Sequence, residues 1–157
     1  MSFQPHKTVA VVVEQPDWLR DASDTAPRFL FVEESADGRV VLNQPAGHLE
    51  ADETLQQAAV REALEETAWQ VELTAFIGLY QYIAPANGEC YIRSCFAARA
   101  VHHHSERALD ADIIRTHWLT LQELTERESQ LRSPLVARVV EDYLGGARYP
   151  LTLVSSW

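Results

Sequence analysis

Two cysteines in 157 residues leave almost no material for covalent staples, and a chain of this length buries about two-thirds of its surface without them. Cys90 and Cys95 lie on one strand-like stretch at an odd spacing, which sends their side chains to opposite faces, so no bridge is expected between them. Such sparing use of cysteine fits a reducing compartment, and a cytoplasmic location is the expectation. Positive charge is scarce as well. With 13 Lys+Arg against 23 Asp+Glu the net charge is −10, which argues against a protein that grips duplex nucleic acid through a basic face. Long apolar runs are missing: Val9-Ala10-Val11-Val12-Val13 is too short to cross a bilayer, and Met1 to Lys7 has no apolar core of signal-peptide type. There is no Gly-x-x-x-x-Gly-Lys-Ser/Thr loop, no Gly-x-Ser-x-Gly elbow and no Cys-x-x-Cys pair. An acidic chain can still take a small phosphorylated ligand, because a bound metal reverses the local field.

No repeat, linker or low-complexity tract divides the chain, so residues 1–157 read as one domain. Thr8–Val13 reads as a buried strand. Asp17–Pro27 reads as loop, Arg28–Val32 as a second strand, Ala36-Asp37-Gly38-Arg39 as a hairpin turn and Val40–Leu42 as the returning strand. After a loop from Pro45 to Asp52, a helix is expected from Asp52 or Glu53 to about Thr67, with Asp52 as N-cap and Val60 and Leu64 as its core face. Ala58, Ala59 and Ala63 would permit close packing. Strands at Val71–Ala84 and Glu89–Ala100 flank the turn Pro85-Ala86-Asn87-Gly88. Ile113–Leu119 is a further strand, and helices follow at Leu121–Arg127 and Pro134–Leu144, the latter closed by Gly145-Gly146. The class is α/β in the broad sense (α+β).

The helix from Asp52 carries the chemistry. Glu62, Glu65 and Glu66 stand at i, i+3 and i+4, within an arc of about 100°. Like charges so placed repel by roughly 0.2–0.5 kcal/mol per pair. A hard divalent cation with oxygen ligands removes that penalty, so the spacing points to Mg²⁺, with Mn²⁺ as the substitute, and to a substrate that needs one. A solvated acidic face is the plain alternative. Here, however, the acids come with a fixed frame: Gly47-(5)-Glu53-(7)-Arg61-Glu62-(2)-Glu65-Glu66.

That frame resembles the signature of the Nudix hydrolases, Gly-(5)-Glu-(7)-Arg-Glu-apolar-x-Glu-Glu-x-Gly-apolar, departing from it at the last glycine, which is Ala68 here, followed by Trp69. Asn43 to Leu55, Leu131-Arg132-Ser133-Pro134-Leu135-Val136-Ala137 and Arg148-Tyr149-Pro150-Leu151 are similar to the NudJ branch, small bacterial phosphatases. The resemblance implies an α/β/α sandwich with a mixed sheet and the signature loop-helix, and a monomer. It implies a small organic pyrophosphate as substrate: nucleoside tri- and diphosphates and the thiamine precursor hydroxymethylpyrimidine diphosphate, with orthophosphate released. Other Nudix substrates remain as alternatives (a dinucleoside polyphosphate, ADP-ribose, an oxidised nucleotide), as does a Nudix-fold sensor that binds without cleaving.

Carried onto this chain, the resemblance assigns Glu62, Glu65 and Glu66 as metal ligands, with the carbonyl of Ala46 as a further oxygen. Arg61 is expected to orient Glu53 or Glu62 by a charge-assisted pair, a purely structural ion pair being the plainer reading. Family members bring a further acid from a later loop; Asp112 is preferred here over Asp110, with Glu106 a weaker option. For substrate contacts the candidates are Gln44, Tyr80, Tyr82, Arg93 and Arg132, with Asn43 beside Gln44 and Ser133 beside Arg132. Core packing competes for the tyrosines, a cross-strand ion pair for Arg93 and helix capping for Ser133. Trp69 is expected to pack. His102-His103-His104 reads as a polar loop rather than a metal site, since consecutive residues point different ways.

Overall fold

The apolar run from Val9 to Val13 is the middle of β1 (His6–Glu14), and all five residues are buried. Val9, Val11 and Val13 join one hydrophobic cluster, Ala10 and Val12 another on the opposite face. A strand covered on both sides reads as a continuous apolar run instead of an alternating one. The structure, a computed structural model, describes residues 2–157. Around β1 it assembles β2 (Arg28–Ala36), β3 (Arg39–Asn43), β4 (Ala46–His48), β5 (Trp69–Ile83), β6 (Cys90–His103) and β7 (Ile113–Thr120). The path is β3-β2-β1-β6-β5, with β4 added to β1 and β7 to β2. β1 and β6 run parallel, and the other pairings are antiparallel. The β2–β3 turn puts Asp37 and Gly38 at φ of 49° and 75°, the left-handed geometry that suits a tight hairpin.

Helix α1 (Leu55–Thr67) covers the face holding Val9, Val11 and Val13, through Ala58, Ala59 and Ala63. On the other face α2 (Leu121–Thr125) and α3 (Leu135–Leu144) supply Leu124, Val136, Val139 and Val140. This is the α/β/α sandwich with a mixed sheet, and it places α1 against β1 and β4. Both cysteines are buried and free. No helix is long and apolar enough to cross a membrane.

Four expectations are corrected. Asp52 is not the N-cap; it lies in the loop at φ of 63°. Thr54 caps the helix. Its hydroxyl accepts from the Gln57 N–H at 3.0 Å, while the Gln57 side chain accepts from the Thr54 N–H at 2.9 Å, a capping box. Thr54→Ala is therefore expected to lower stability by about 1 kcal/mol, read as a lower urea midpoint at an unchanged m-value. Val60 and Leu64 are only half-buried: Val60 packs against the edge of the cluster, Leu64 joins neither cluster, and the alanines carry the core face. Because three alanines let the backbone lie close to the sheet, the acids at Glu62 and Glu66 turn inward and are buried. Ala46–His48, expected as loop, pairs with Thr8–Ala10. Finally, His102 and His103 extend β6 and pair with Gln70 and Trp69, because β5 starts directly after the helix. Ala68 turns that corner at φ of 61° with its N–H bonded to Leu64 O at 2.9 Å. Left-handed backbone costs a non-glycine residue about 1–2 kcal/mol, offset in part by the burial of its methyl group.

Candidate active site

Arg61 is the centre of the frame. Its guanidinium donates to both oxygens of Glu53 (2.7 and 2.9 Å), to Glu62 Oε1 at 2.8 Å, to Glu65 Oε2 at 3.2 Å and to the His48 carbonyl at 3.1 Å. Both acids proposed as its partners are thus held at once, the Glu53 pair being bidentate. Glu53 also accepts the Glu50 N–H at 2.8 Å, which ties the loop after β4 to the start of α1. The bond from Arg61 holds the Glu53 carboxyl below its ordinary range, and Glu53 in turn raises the guanidinium. Glu62 lies directly over Gly47: a Cβ built there would overlap the Glu62 carboxylate. The glycine of the frame makes room for the acid.

The acids form an outer and an inner group. Glu62, Glu65 and Asp110 each place a carboxylate oxygen within 4.8 Å of the others. A set made wholly of carboxylate oxygens fits a hard divalent cation. Asp110, not the preferred Asp112, joins Glu62 and Glu65, because the Asp110 N–H bonds the Glu65 carbonyl at 3.0 Å and pins its loop to the end of α1. Glu66 sits deeper and accepts the Ala46 N–H at 2.7 Å, so the observed contribution of Ala46 is its N–H. Burial pushes the Glu66 carboxyl up to about 9; the Ala46 bond opposes this, while the charges of Glu34, Glu62 and Asp112 add to it. Burial also raises Glu62, with Arg61 pulling the other way, and raises Asp110, where the Glu65 charge adds to it.

Glu34 was missed. It is buried on β2, accepts from Asn43 Nδ2 at 3.4 Å, and is raised by burial. The strand reads from the sequence as ending at Val32, whereas it runs to Ala36 through its pairing with β3, with β7 alongside as far as Glu34. These groups line a cleft of about 550 Å³, which Glu34, Glu62, Glu66, Asp110, Asp112 and Ala46 share with Arg93 and Arg132. A second cavity of about 310 Å³ adjoins it and shares Tyr91, Arg93 and Arg132; Tyr82 lies on its far side.

Arg93 and Arg132 are therefore brought to the cleft and Tyr82 to the adjoining cavity, but Gln44 and Tyr80 reach neither. Gln44 is buried and donates to the Val136 carbonyl at 2.6 Å, anchoring α3. The Tyr80 hydroxyl donates to Asp142 at 2.7 Å and its ring packs against the core. Arg93 makes no cross-strand ion pair among the described residues; its contact is Asn43 Oδ1 at 3.5 Å. Arg132 faces Asp37 at 3.5 Å. Ser133 Oγ accepts the Leu135 N–H at 3.2 Å, as a capping residue does. Glu106 is exposed and pairs with His104, away from the acids. Trp69 is buried among Trp18, His103 and Trp118.

A carboxylate cluster borne on a capped helix, laid over a glycine and braced by one arginine, is the apparatus of a metal-assisted hydrolase. Comparison with known proteins identifies which kind. Residues 4–139 match the NUDIX domain family. The chain is 40% identical over 155 residues to phosphatase NudJ of Escherichia coli (strain K12), covering 99% of this chain and 94% of that protein. A NUDIX hydrolase from Nitrosomonas europaea superposes with a TM-score of 0.89 at 37% identity over 98% of each chain. The NUDIX domain of Shewanella oneidensis NrtR, complexed with ADP ribose, shares the fold at 16% identity, with a TM-score of 0.66 over 90% of this chain and 88% of that one. The protein belongs to the Nudix family, as a hydrolase of phosphorus-containing acid anhydrides.

Proposed function

We propose that the protein is a Mg²⁺-dependent Nudix hydrolase of the phosphatase type, with Mn²⁺ able to replace Mg²⁺. It removes orthophosphate from nucleoside tri- and diphosphates and from hydroxymethylpyrimidine diphosphate, and works as a cytoplasmic monomer. One observation carries this reading: the outer acids Glu62, Glu65 and Asp110 converge while Arg61 braces two of them. Similarity to a curated phosphatase over nearly the whole chain supports orthophosphate as the product.

Glu62, Glu65 and Asp110 would hold the cation, with Glu66 behind them on the Ala46 N–H. A divalent cation held there would neutralise non-bridging phosphate oxygens and acidify a water. Arg61 keeps Glu62 and Glu65 aimed and contacts no phosphate itself. Asp112, exposed on the cleft wall, takes the proton of the attacking water and returns it to solvent. Arg93 and Arg132, which line the same cleft, hold the remaining phosphates.

The test is to incubate the purified protein with Mg²⁺ and a panel of organic pyrophosphates, including the thiamine precursor, and to identify the products by phosphorus NMR. Orthophosphate from the nucleoside di- and triphosphates is expected. Pyrophosphate plus nucleoside monophosphate would move the attack to another phosphorus. Binding without turnover on every compound would make the protein a sensor.

A further inference from the structure

The smaller cavity extends beyond the two phosphate-holding arginines. It lies between the tip of the β5–β6 hairpin and the turn before α3, and joins the acidic cleft at Tyr91, Arg93 and Arg132. Glu62, Glu66 and Asp110 line only the larger cleft, the two arginines line both spaces, and Tyr82, Pro85 and Leu135 line the end of the smaller one that the cleft does not share. We propose that this end is a ring-binding subsite, in which Tyr82 and Tyr91 receive a heteroaromatic ring of the substrate while Arg93 and Arg132 hold the phosphate next to it. The inference rests on the anhydride-hydrolase reading above and adds the residues that choose the substrate.

The two tyrosines are direct cross-strand partners, Tyr82 on β5 and Tyr91 on β6, so they stand on the same face of the sheet, as neighbours across it. Tyr91 is set in place beforehand. Its ring stacks on His6 at 4.6 Å and 15°, and its hydroxyl donates to Glu89 at 3.2 Å. One of its faces is thus occupied. Tyr82 is half-buried, yet among the described residues it has neither a hydrogen bond nor an aromatic partner. A buried tyrosine serving the core finds a partner for its hydroxyl, as Tyr80 does two residues earlier with Asp142. Same strand, same face, opposite outcomes: Tyr80 belongs to the core and Tyr82 to the cavity.

Charge points the same way. In a chain of net charge −10, Arg93 reaches this cleft with no carboxylate paired to it, and burial presses its guanidinium toward the neutral form. An anion arriving at the junction restores the pairing. A volume of about 310 Å³ is at the small end of ligand sites, which suits one ring system and not the two of a dinucleoside polyphosphate.

Stacking on an aromatic side chain is worth about 1–3 kcal/mol per base, which is roughly tenfold to a hundredfold in affinity. Tyr82→Ala is expected to raise KM for UTP by that factor, with kcat within about twofold of the parent. The inhibition constant of tripolyphosphate, which has no ring, should not move. Tyr82→Phe should behave as the parent does, because the ring and not the hydroxyl is the contact. An unchanged KM for UTP in Tyr82→Ala, or equal shifts for UTP and tripolyphosphate, would overturn the subsite. Should the parent enzyme hydrolyse none of these compounds, the hydrolase reading fails separately. Equilibrium dialysis of UTP then decides the subsite: weaker binding by Tyr82→Ala supports it, equal binding overturns it.

Discussion

Glu65→Gln is expected to lower kcat by about a thousandfold and to leave the protein folded. A cation held at the outer acids, as proposed, would be worth several kcal/mol of transition-state charge, and each 1.36 kcal/mol is tenfold in rate, so the loss of one ligand reaches about that size. The fold has little reason to suffer. Glutamine keeps the shape and can still accept from Arg61, which stands 3.2 Å from Glu65 Oε2. Removing one negative charge from a group that holds Glu62 and Asp110 within 4.8 Å also relieves repulsion. The melting temperature without metal should therefore equal or exceed that of the parent. With Mg²⁺ the order reverses. A ligand that binds only the folded state adds about 1.4 kcal/mol for each tenfold of concentration over its Kd, and the parent should gain more than the variant. Near-parental turnover by Glu65→Gln with Mg²⁺ would remove Glu65 from the metal site.

The elements most legible in the sequence were those with one dominant physical cause. Val9–Val13, short, apolar and rich in β-branched valine, reads as a buried strand, and Asp37-Gly38 as a tight turn, and both form as read. The direction in which α1 faces was not legible. Val60 and Leu64 are its larger apolar residues, and pattern alone puts large apolar groups inside. Three alanines override that by permitting a closer approach than leucine does, and the acids come in with them. The N-cap was misplaced for a related reason. Asp52, Glu53 and Thr54 all offer capping oxygens, and the choice among them depends on Gln57 being three residues beyond Thr54.

The candidate site was legible where it is local and obscure where it is assembled. Arg61, Glu62 and Glu65 are neighbours on one helix, so spacing alone places them together. Asp110 and Asp112 are two residues apart on one loop, and nothing in their order says which turns toward Glu65; a backbone bond from Asp110 decides it. Gln44 and Glu34 mislead in opposite directions. Gln44 lies beside the signature and looks like a ligand, but its side chain is used in holding Val136 of α3. Glu34 lies well before the signature and becomes an inner acid because pairing with β3 and β7 carries β2 past Val32.

Gly47→Ala should be nearly as damaging to activity as the loss of a ligand, for a reason that composition hides. Gly47 is not among the glycines with positive φ, so its backbone would accept any residue. The objection comes from its neighbour: an added Cβ overlaps the Glu62 carboxylate. That carboxylate is bonded to Arg61 at 2.8 Å, and it can clear the new methyl group only by turning into the cleft and giving up that bond. Glu62 must leave its position, and the brace on Glu65 loosens with it. The expected result is a kcat lower by about a hundredfold or more and a stability lower by about 1–3 kcal/mol, the cost of losing a hydrogen bond between charged groups. A double-mutant cycle separates this account from general damage. If the clash with Glu62 is the cause, Glu62→Ala relieves it, and the double variant should be more stable than the sum of the single effects by about 1–3 kcal/mol. Additive losses would place the defect elsewhere in the β4 loop. Activity stays low in both variants, because one lacks the ligand and the other lacks the room for it.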